Sequence, residues 1–137
     1  FRSLDAHLLV QEYIREAEGR TLRLLVVNNK MACAVELHSE PGQMHQRHST
    51  TSPMIIARPT LEERRLALRA AKVMGLKVAG IDMIRSKKGP LLLTINSNPS
   101  IRDPEETTGK DLASTLITAI EKQLGWKRKP ISGHRIG

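Results

Sequence analysis

The sequence reads Gly80-Ile-Asp-Met-Ile-Arg-Ser-Lys-Lys-Gly-Pro-Leu-Leu-Leu-Thr-Ile-Asn96 over one stretch that contains two apolar runs separated by turn residues. The segment Lys87-Lys88-Gly89 predicts a three-residue hairpin loop with its glycine in the left-handed region. In that register Asp82 lies opposite Thr94, and Asn96 shares their face because side chains alternate along a strand. We therefore expect a hairpin with a small polar cluster on one face.

The polar cluster of Asp82, Thr94 and Asn96 lies among Val, Ile and Leu residues. A buried carboxylate in such surroundings needs a hydrogen-bonding partner or a cation. One interpretation is a magnesium site, because Mg²⁺ takes oxygen ligands that include carboxylates and nucleotide phosphates. The other is a structural aspartate that is bonded to hydroxyl, amide and backbone groups. The residues of the hairpin leave both interpretations open.

The rest of the chain shows strands first and then alternating helices and strands. Such an order is typical of an α+β domain built on a mainly antiparallel sheet. Apolar runs predict strands at 8–14, 21–28, 31–38, 77–86 and 90–96. The capping box Thr60-Leu-Glu-Glu63 predicts a helix that ends at Gly75. A weaker capping box, Thr108-Gly-Lys-Asp111, predicts a second helix that runs to Leu124.

Residues 1–124 are predicted to form one domain that contains a long loop at 39–59. Periodicity is lost in that loop, and Pro41, Pro53 and Pro59 interrupt it. A shorter loop is expected at 97–106. The end of the chain, 125–137, is basic and rich in Pro and Gly, which favours a flexible tail.

The composition limits the classes of partner. The chain has 137 residues, a net charge of +8 and only 2% aromatic residues. The positive charge favours acidic partners, whereas the shortage of aromatic rings argues against an RNA-stacking protein. No apolar run is long enough to span a bilayer and no signal peptide is visible, so we expect a cytoplasmic protein without membrane contact. Because the first residue is Phe1, the chain is also expected to be a fragment.

Histidines in the long loop suggest a metal site of another kind. His45 and His48 have the spacing of half a zinc site, and His38 and Cys33 are close in sequence. No second pair follows at zinc-binding spacing, so solvated loop histidines are the favoured interpretation. Cys33 lies in an apolar run and is expected to be a small buried side chain.

Several motifs, in their order and spacing, resemble the C-terminal part of RimK-type ATP-grasp ligases. The resemblance runs from about Leu4 to Lys122. The motifs that carry it are Leu8-Leu-Val-Gln-Glu-Tyr-Ile14, Val78-Ala-Gly-Ile-Asp82, Asn96-Ser-Asn-Pro99 and Thr107-Thr-Gly-Lys-Asp111. The resemblance implies a C-terminal ATP-grasp subdomain, with a mainly antiparallel sheet and two helices on one face.

The resemblance also implies a chemistry. The family uses ATP and magnesium to activate a carboxylate as an acyl phosphate, which an amine then attacks. Its namesake members add glutamates to a ribosomal protein, so an acidic peptide or a ribosomal protein is an implied partner beside the nucleotide. By resemblance, Glu12, Tyr13 and Ile14 lie at the adenine edge. Asp82 and Asn96 are implied magnesium ligands.

This chain departs from the family pattern at functional positions. Thr94 stands where the family has a glutamate that bridges two magnesium ions, and Thr21 stands where it has an aspartate that touches the nucleotide. The sequence His45-Gln46-Arg47 replaces Arg-Ser-Asn on the phosphate side, and Arg47 is a candidate to reach the phosphates from a shifted position. The motifs found here also leave out the family's phosphate-contacting lysine and its flexible flap.

These departures leave two hypotheses. In the first, the chain is the C-terminal portion of an ATP-dependent carboxylate–amine ligase and is inactive as an isolated chain. In the second, it is a degenerate, non-catalytic relative that acts as a binding or assembly module. An exposed sheet groove would leave apolar surface uncovered, which also favours a homodimer.

Overall fold

The structure is a computed structural model that describes residues 11–39 and 53–126. A 3-10 helix at Arg15–Ala17 precedes the first strand. The strands are β1 (Arg20–Val27), β2 (Lys30–His38), β3 (Met54–Ile56), β4 (Val78–Ser86) and β5 (Gly89–Asn96). The helices are α1 (Leu61–Val73), α2 (Arg102–Thr108) and α3 (Leu112–Gln123). Among these described residues, no helix has the length and apolar character needed to span a membrane.

The strands form one five-stranded sheet in the order β3-β2-β1-β4-β5. Each neighbouring pair is antiparallel. The predicted α+β class with an antiparallel sheet is therefore confirmed. Strand β1 lies at the centre because its Leu- and Val-rich run is apolar on both faces, which suits a strand that is covered on both sides.

The sequence Asn28-Asn29-Lys30 predicts a tight turn, because asparagine tolerates positive φ, and the structure has a turn there between β1 and β2. Asn28 and Asn29 both have positive φ, 49° and 66°. Two consecutive left-handed residues are what a type I′ hairpin turn requires, and asparagine tolerates this region better than most residues. The turn pairs Val27 with Lys30 and so sets the register of the central hairpin.

The β4–β5 hairpin reaches the predicted pairing by a different route. The turn contains two residues, with Ser86 paired to Gly89, and not the predicted three-residue loop. A β-bulge then shifts the register between Asp82 and Met83, and this restores the pairing of Asp82 with Thr94. The loop prediction was wrong, but the pairing of Asp82 with Thr94 is confirmed, because one extra residue in β5 offsets the shorter turn.

Helix α1 begins at the predicted capping box. The backbone N–H of Glu63 donates to the Thr60 hydroxyl at 3.2 Å, and the backbone N–H of Thr60 donates to the Glu63 carboxylate at 2.7 Å. These reciprocal bonds satisfy two amides that would otherwise have no partner at a helix start. The second helix starts differently from its prediction, because Asp111 and not Thr108 caps α3 by accepting from the N–H of Ser114.

The helices lie on opposite faces of the sheet, so their predicted placement on one face was wrong. One core cluster joins α1, through Ala67 and Ala71, to Leu24 of β1. A second cluster joins α3, through Leu112, to Leu25 on the other face. The physical reason is the composition of β1, whose neighbouring leucines point to opposite faces and need burial on both.

Three further predictions of secondary structure were wrong. The expected strand at 8–14 is absent from residues 11–14, while its earlier residues lie outside the described part of the chain. The predicted loop at 39–59 contains β3, and the predicted loop at 97–106 overlaps α2. Both missed elements are short, and tertiary contacts stabilise them: β3 by pairing with β2, and α2 by the burial of Pro104.

Candidate functional site

Three polar residues lie side by side across the sheet on the face opposite α1. Arg23 of β1 is paired with Asp82 of β4, and Asp82 is paired with Thr94 of β5. Cross-strand partners are only about 5 Å apart at Cβ, so their side chains are in contact. The register of the sheet thus creates a row of a cation, a carboxylate and a hydroxyl.

Hydrogen bonds join the three side chains of this row. Arg23 Nε donates to Asp82 Oδ1 at 2.7 Å, and the terminal Nη2 of Arg23 donates to Asp82 Oδ2 at 2.8 Å. The Thr94 hydroxyl donates to the same Oδ2 at 3.2 Å. The side chain of Asp82 is 13% exposed and that of Arg23 is 34% exposed. The two parallel bonds form the bidentate geometry in which guanidinium and carboxylate bind most strongly.

The pairing also affects the acid–base behaviour of the cation. The hydrogen bond to Asp82 raises the pKa of Arg23 further above its ordinary value, and it outweighs the opposing effect of burial. Asp103 of α2 adds to the increase through its charge. Arg23 therefore keeps a fixed positive charge at any pH at which the fold exists.

Asn96 does not join this row. Its side-chain oxygen accepts from the backbone N–H of Asn98 at 2.9 Å, which is a local turn within the loop that follows β5. The sequence placed Asn96 on the face of Asp82 and Thr94, and the pairing of Gly80 with Asn96 agrees with that alternation. The structure nonetheless brings only Asp82 and Thr94 into hydrogen-bonding contact.

These residues do not fit a resident magnesium ion. Both oxygens of Asp82 accept from Arg23, the Thr94 hydroxyl donates to Asp82, and the Asn96 oxygen accepts from a backbone amide. These bonds leave few lone pairs for a metal ion, whereas Mg²⁺ needs several oxygen ligands in nearly octahedral geometry. Within residues 11–39 and 53–126 there is also no group of three or more His, Cys, Asp or Glu side chains that could hold a metal.

Thr21 lies on the same face of β1 as Arg23, two residues before it, and it is 4% exposed. Its hydroxyl is a buried polar atom without a hydrogen-bond partner, the only such side-chain atom within the described part of the chain. A buried hydroxyl left without a partner costs about 1 to 3 kcal/mol. Thr21 is therefore a position at which a ligand group or an ordered water would be stabilising.

The predicted adenine-edge residues precede the 3-10 helix. Glu12 and Tyr13 are exposed, with the Tyr13 side chain 65% exposed, and Ile14 is half-buried. The backbone carbonyl of Ile14 accepts from the N–H of Ala17 at 3.2 Å. Arg47 and His45 lie outside the described residues.

Arg23 was not among the residues that the sequence singled out. A signal for it was present, because Arg23 is the only charged residue in the run from Thr21 to Val27. A charged side chain in a central apolar strand needs a partner of opposite charge. Asp82, in the equally apolar β4, was the matching residue.

A second charged cluster lies on the other face, between the sheet and α1. Arg85 Nε donates to Glu63 at 2.6 Å, and another Arg85 nitrogen donates to Glu36 at 2.9 Å. Glu36 also contacts His38 at 2.8 Å. A cavity of about 90 Å³ adjoins this cluster, with lining residues Glu16, Ala17, Arg20, Leu22, Glu36 and Arg85. The cavity is thus on the opposite face from the row of Arg23, Asp82 and Thr94.

The sequence matches a protein family and several known proteins. The model of the RimK-like ATP-grasp domain matches residues 1–120. A probable alpha-L-glutamate ligase of Shewanella halifaxensis is 47% identical over 93% of this chain, and a ribosomal protein bS6–L-glutamate ligase of Escherichia fergusonii is 43% identical over 89%. The chain spans 28% and 41% of the length of these two relatives.

A solved structure shows the same fold at lower sequence identity. The ATP-grasp ligase PsnB, complexed with a phosphomimetic variant of its minimal precursor, Mg and ADP, has a TM-score of 0.62 and 22% identity. The match covers 77% of this chain and 32% of PsnB. The family model and the two relatives agree with this fold, and the chain belongs to the RimK-like ATP-grasp family.

Proposed function

We propose that this chain forms the C-terminal, nucleotide-facing unit of an ATP-dependent carboxylate–amine ligase, and that it performs no ligation as an isolated chain. The observation that carries the proposal is the buried, unpartnered hydroxyl of Thr21 on the sheet face of Arg23 and Asp82. A polar group of a ligand would supply the hydrogen-bond partner that this hydroxyl lacks. Because the chain belongs to an ATP-grasp family, the proposed ligand is a nucleotide.

In this proposal ATP lies against the face of the sheet opposite α1. Glu12, Tyr13 and Ile14 contact the adenine edge, and Arg47 contacts the phosphates. Thr21 bonds a polar group of the nucleotide in place of the family's aspartate. Bound ATP supplies the phosphoryl group that activates a carboxylate. No step is assigned to a metal at Asp82, Thr94 and Asn96, because their oxygens are engaged in hydrogen bonds within the protein.

The proposed second partner is an acidic peptide. A net charge of +8 favours an acceptor that carries glutamates. The relative from Escherichia fergusonii is named for a ribosomal protein, which makes the acidic end of such a protein our proposed acceptor. We place this reaction in the cytoplasm. The homodimer expected from uncovered apolar surface stays a prediction.

A second function is favoured by one specific observation. The carboxylate of Asp82 is neutralised by Arg23, and Thr94 provides a hydroxyl where the family has a carboxylate. Electrostatic stabilisation by cations dominates phosphoryl transfer. A site whose carboxylate is neutralised attracts metal cations poorly and therefore lacks this stabilisation. Such a site suits a non-catalytic binding or assembly module.

Nucleotide binding is tested by isothermal titration of a non-hydrolysable ATP analogue into the folded chain, with and without magnesium. We expect binding that is weakened when the Thr21 hydroxyl is removed by Thr21→Val, which keeps the shape of the side chain. The matched control is Thr118→Val, an exposed threonine on α3. Absence of binding up to millimolar analogue, or equal binding by wild type and Thr21→Val, would contradict the proposal.

Ligase and module are separated by a chimera. The corresponding segment of the Escherichia fergusonii ligase is replaced by this chain, and glutamate addition to a peptide acceptor is measured. Activity of the chimera with Thr94 intact supports the ligase. Activity that appears only after Thr94→Glu supports the module, because the missing carboxylate is then the cause of inactivity. The parent ligase, unmodified, is the positive control.

A further inference from the structure

We infer that Arg23 is a built-in cation that takes the place of a divalent metal ion at the β4–β5 hairpin. In this arrangement the guanidinium of Arg23 neutralises Asp82, and the hairpin of this chain holds no Mg²⁺. The inference goes beyond the proposed nucleotide binding and does not depend on it, because it concerns the hairpin alone.

Geometry is the first support. A guanidinium is planar and presents two parallel N–H groups that match the two oxygens of a carboxylate. Arg23 uses both, at 2.7 Å to Oδ1 and 2.8 Å to Oδ2 of Asp82. Arg23 and Thr94 together occupy three of the roughly four lone-pair sites of this carboxylate, which is 13% exposed, so a metal ion would find one free site or would have to displace the guanidinium. Separating such a pair leaves a largely buried charge without its partner, which is strongly unfavourable.

Charge balance is the second support. Asp82 contributes one negative charge to the row, Arg23 contributes one positive charge, and Thr94 contributes none. The row is therefore neutral, and a divalent ion beside it would meet a fixed positive charge without a net negative charge to attract it. A second carboxylate at position 94 would leave one negative charge uncompensated. Thr94, which adds no charge, and Arg23, which neutralises Asp82, are therefore both needed for the row to be neutral.

The surroundings do not reverse this balance. Asp103 of α2 is near enough to raise the pKa of Arg23, but it is exposed, and its charge faces water and dissolved ions. Asn96 contributes a neutral oxygen that already accepts from Asn98. Thr94 uses its proton in a bond to Asp82, at 3.2 Å, which further stabilises the carboxylate in its present position.

The test uses Mn²⁺ alone as the probe, because it takes oxygen ligands as Mg²⁺ does and broadens nearby NMR signals. Amide spectra of the complete chain are recorded during titration with Mn²⁺ to about millimolar concentration, the range of weak sites. We expect no selective broadening of the amides of Ile81, Asp82 and Ile95 in the wild type. The amides of α1, on the opposite face, serve as the internal reference.

Two double variants test whether Arg23 excludes a divalent ion from the hairpin. Arg23→Met with Thr94→Glu removes the internal cation and adds a carboxylate, and we expect selective broadening at the hairpin. Arg20→Met with Thr94→Glu has the same net charge, but Arg20 pairs with the exposed Glu18 and leaves Arg23 in place. We expect this control to need at least tenfold more Mn²⁺ for the same broadening, equivalent to about 1.4 kcal/mol.

Two results would overturn the inference. Selective broadening at the hairpin of the wild type, lost in Asp82→Asn, would show that the hairpin binds a divalent ion despite Arg23. Equal Mn²⁺ dependence of the two double variants would show that Arg23 does not exclude the ion. If Arg23→Met prevents folding, the comparison of wild type with Asp82→Asn still tests whether the hairpin binds a divalent ion.

Discussion

Arg85 holds Glu63 by two hydrogen bonds, at 2.6 Å from Nε to Oε1 and at 3.0 Å from Nη2 to Oε2, and so joins β4 to the first turn of α1. Glu63 also accepts from the backbone of Thr60 as part of the capping box. One buried carboxylate, 3% exposed, therefore starts the helix and fixes it to the sheet. This double role makes Glu63 a sensitive position for the stability of the fold.

Replacing Glu63 by glutamine should lower the free energy of unfolding by about 2 to 3 kcal/mol. The variant loses the charge-assisted bonds to Arg85, although the half-exposed Arg85 regains water and limits the loss. Urea unfolding measures the change. The matched control is Glu62→Gln on the exposed side of the same turn, where we expect a change within about 0.5 kcal/mol. Similar losses in the two variants would refute the role of Glu63.

The same residue predicts a pH dependence. Burial raises the pKa of Glu63, but the hydrogen bonds from Arg85 and Thr60 together outweigh it, so that the pKa lies below its ordinary value of 4.5. A carboxyl with a lower pKa in the folded state stabilises the fold above its unfolded pKa and loses this effect as the pH falls through the folded one. The urea midpoint should thus decrease as the pH falls below about 4.5. The decrease should be smaller in Glu63→Gln, and parallel pH profiles of the two proteins would contradict this prediction.

Gly80 should not tolerate a side chain. A Cβ at this position would lie 2.9 Å from the Cβ of Pro99, in the loop that follows β5. We expect Gly80→Ala to lower the free energy of unfolding by about 1 to 3 kcal/mol, because either β4 or the loop must move. Thermal or urea unfolding checks the value. The compensating variant is Gly80→Ala with Pro99→Gly, compared with Pro99→Gly alone. If Gly80→Ala lowers the free energy of unfolding as much in the Pro99→Gly protein as in the wild type, the contact with Pro99 is not the cause.

Leu112, the first residue of α3, and Leu124, the residue that follows the helix, should differ in their contribution to stability. Leu112 is 1% exposed and packs against Leu25 and Val27, whereas Leu124 is 70% exposed. Leu112→Ala should lower the free energy of unfolding by about 2 to 5 kcal/mol because it leaves a cavity in the second core. Leu124→Ala removes the same atoms from a site in water, and we expect a change of about 0.5 kcal/mol or less. Equal losses in urea unfolding would mean that α3 does not pack as described.

Local patterns in the sequence predicted the longer elements correctly. The capping box at Thr60 predicted the start of α1, and Asn28 predicted the turn between β1 and β2. The pairing of Asp82 with Thr94 was also predictable, because the two residues belong to one hairpin and a turn relates them directly. These features depend on neighbouring residues, whose contributions to local energy do not require the rest of the fold.

The short elements were missed because their stability comes from distant contacts. Strand β3 contains only Met54–Ile56 and exists through its pairing with β2. Helix α2 ends beside α3, where the Glu105 carboxylate accepts from the backbone N–H of Ala113 at 2.9 Å. The opposite placement of α1 and α3 likewise follows from burial on both faces of β1, whereas helical periodicity shows only that each helix has an apolar side.

The sequence by itself determined that Asp82 needs a partner, because a carboxylate within an apolar strand is unfavourable when it is alone. It left open whether that partner is a metal ion or a group of the protein. Only the tertiary structure decided that the guanidinium of Arg23 binds it, since the two residues are 59 positions apart and meet where β1 pairs with β4. A local pattern cannot specify such a contact, because the sheet register that creates it depends on the burial of both faces together.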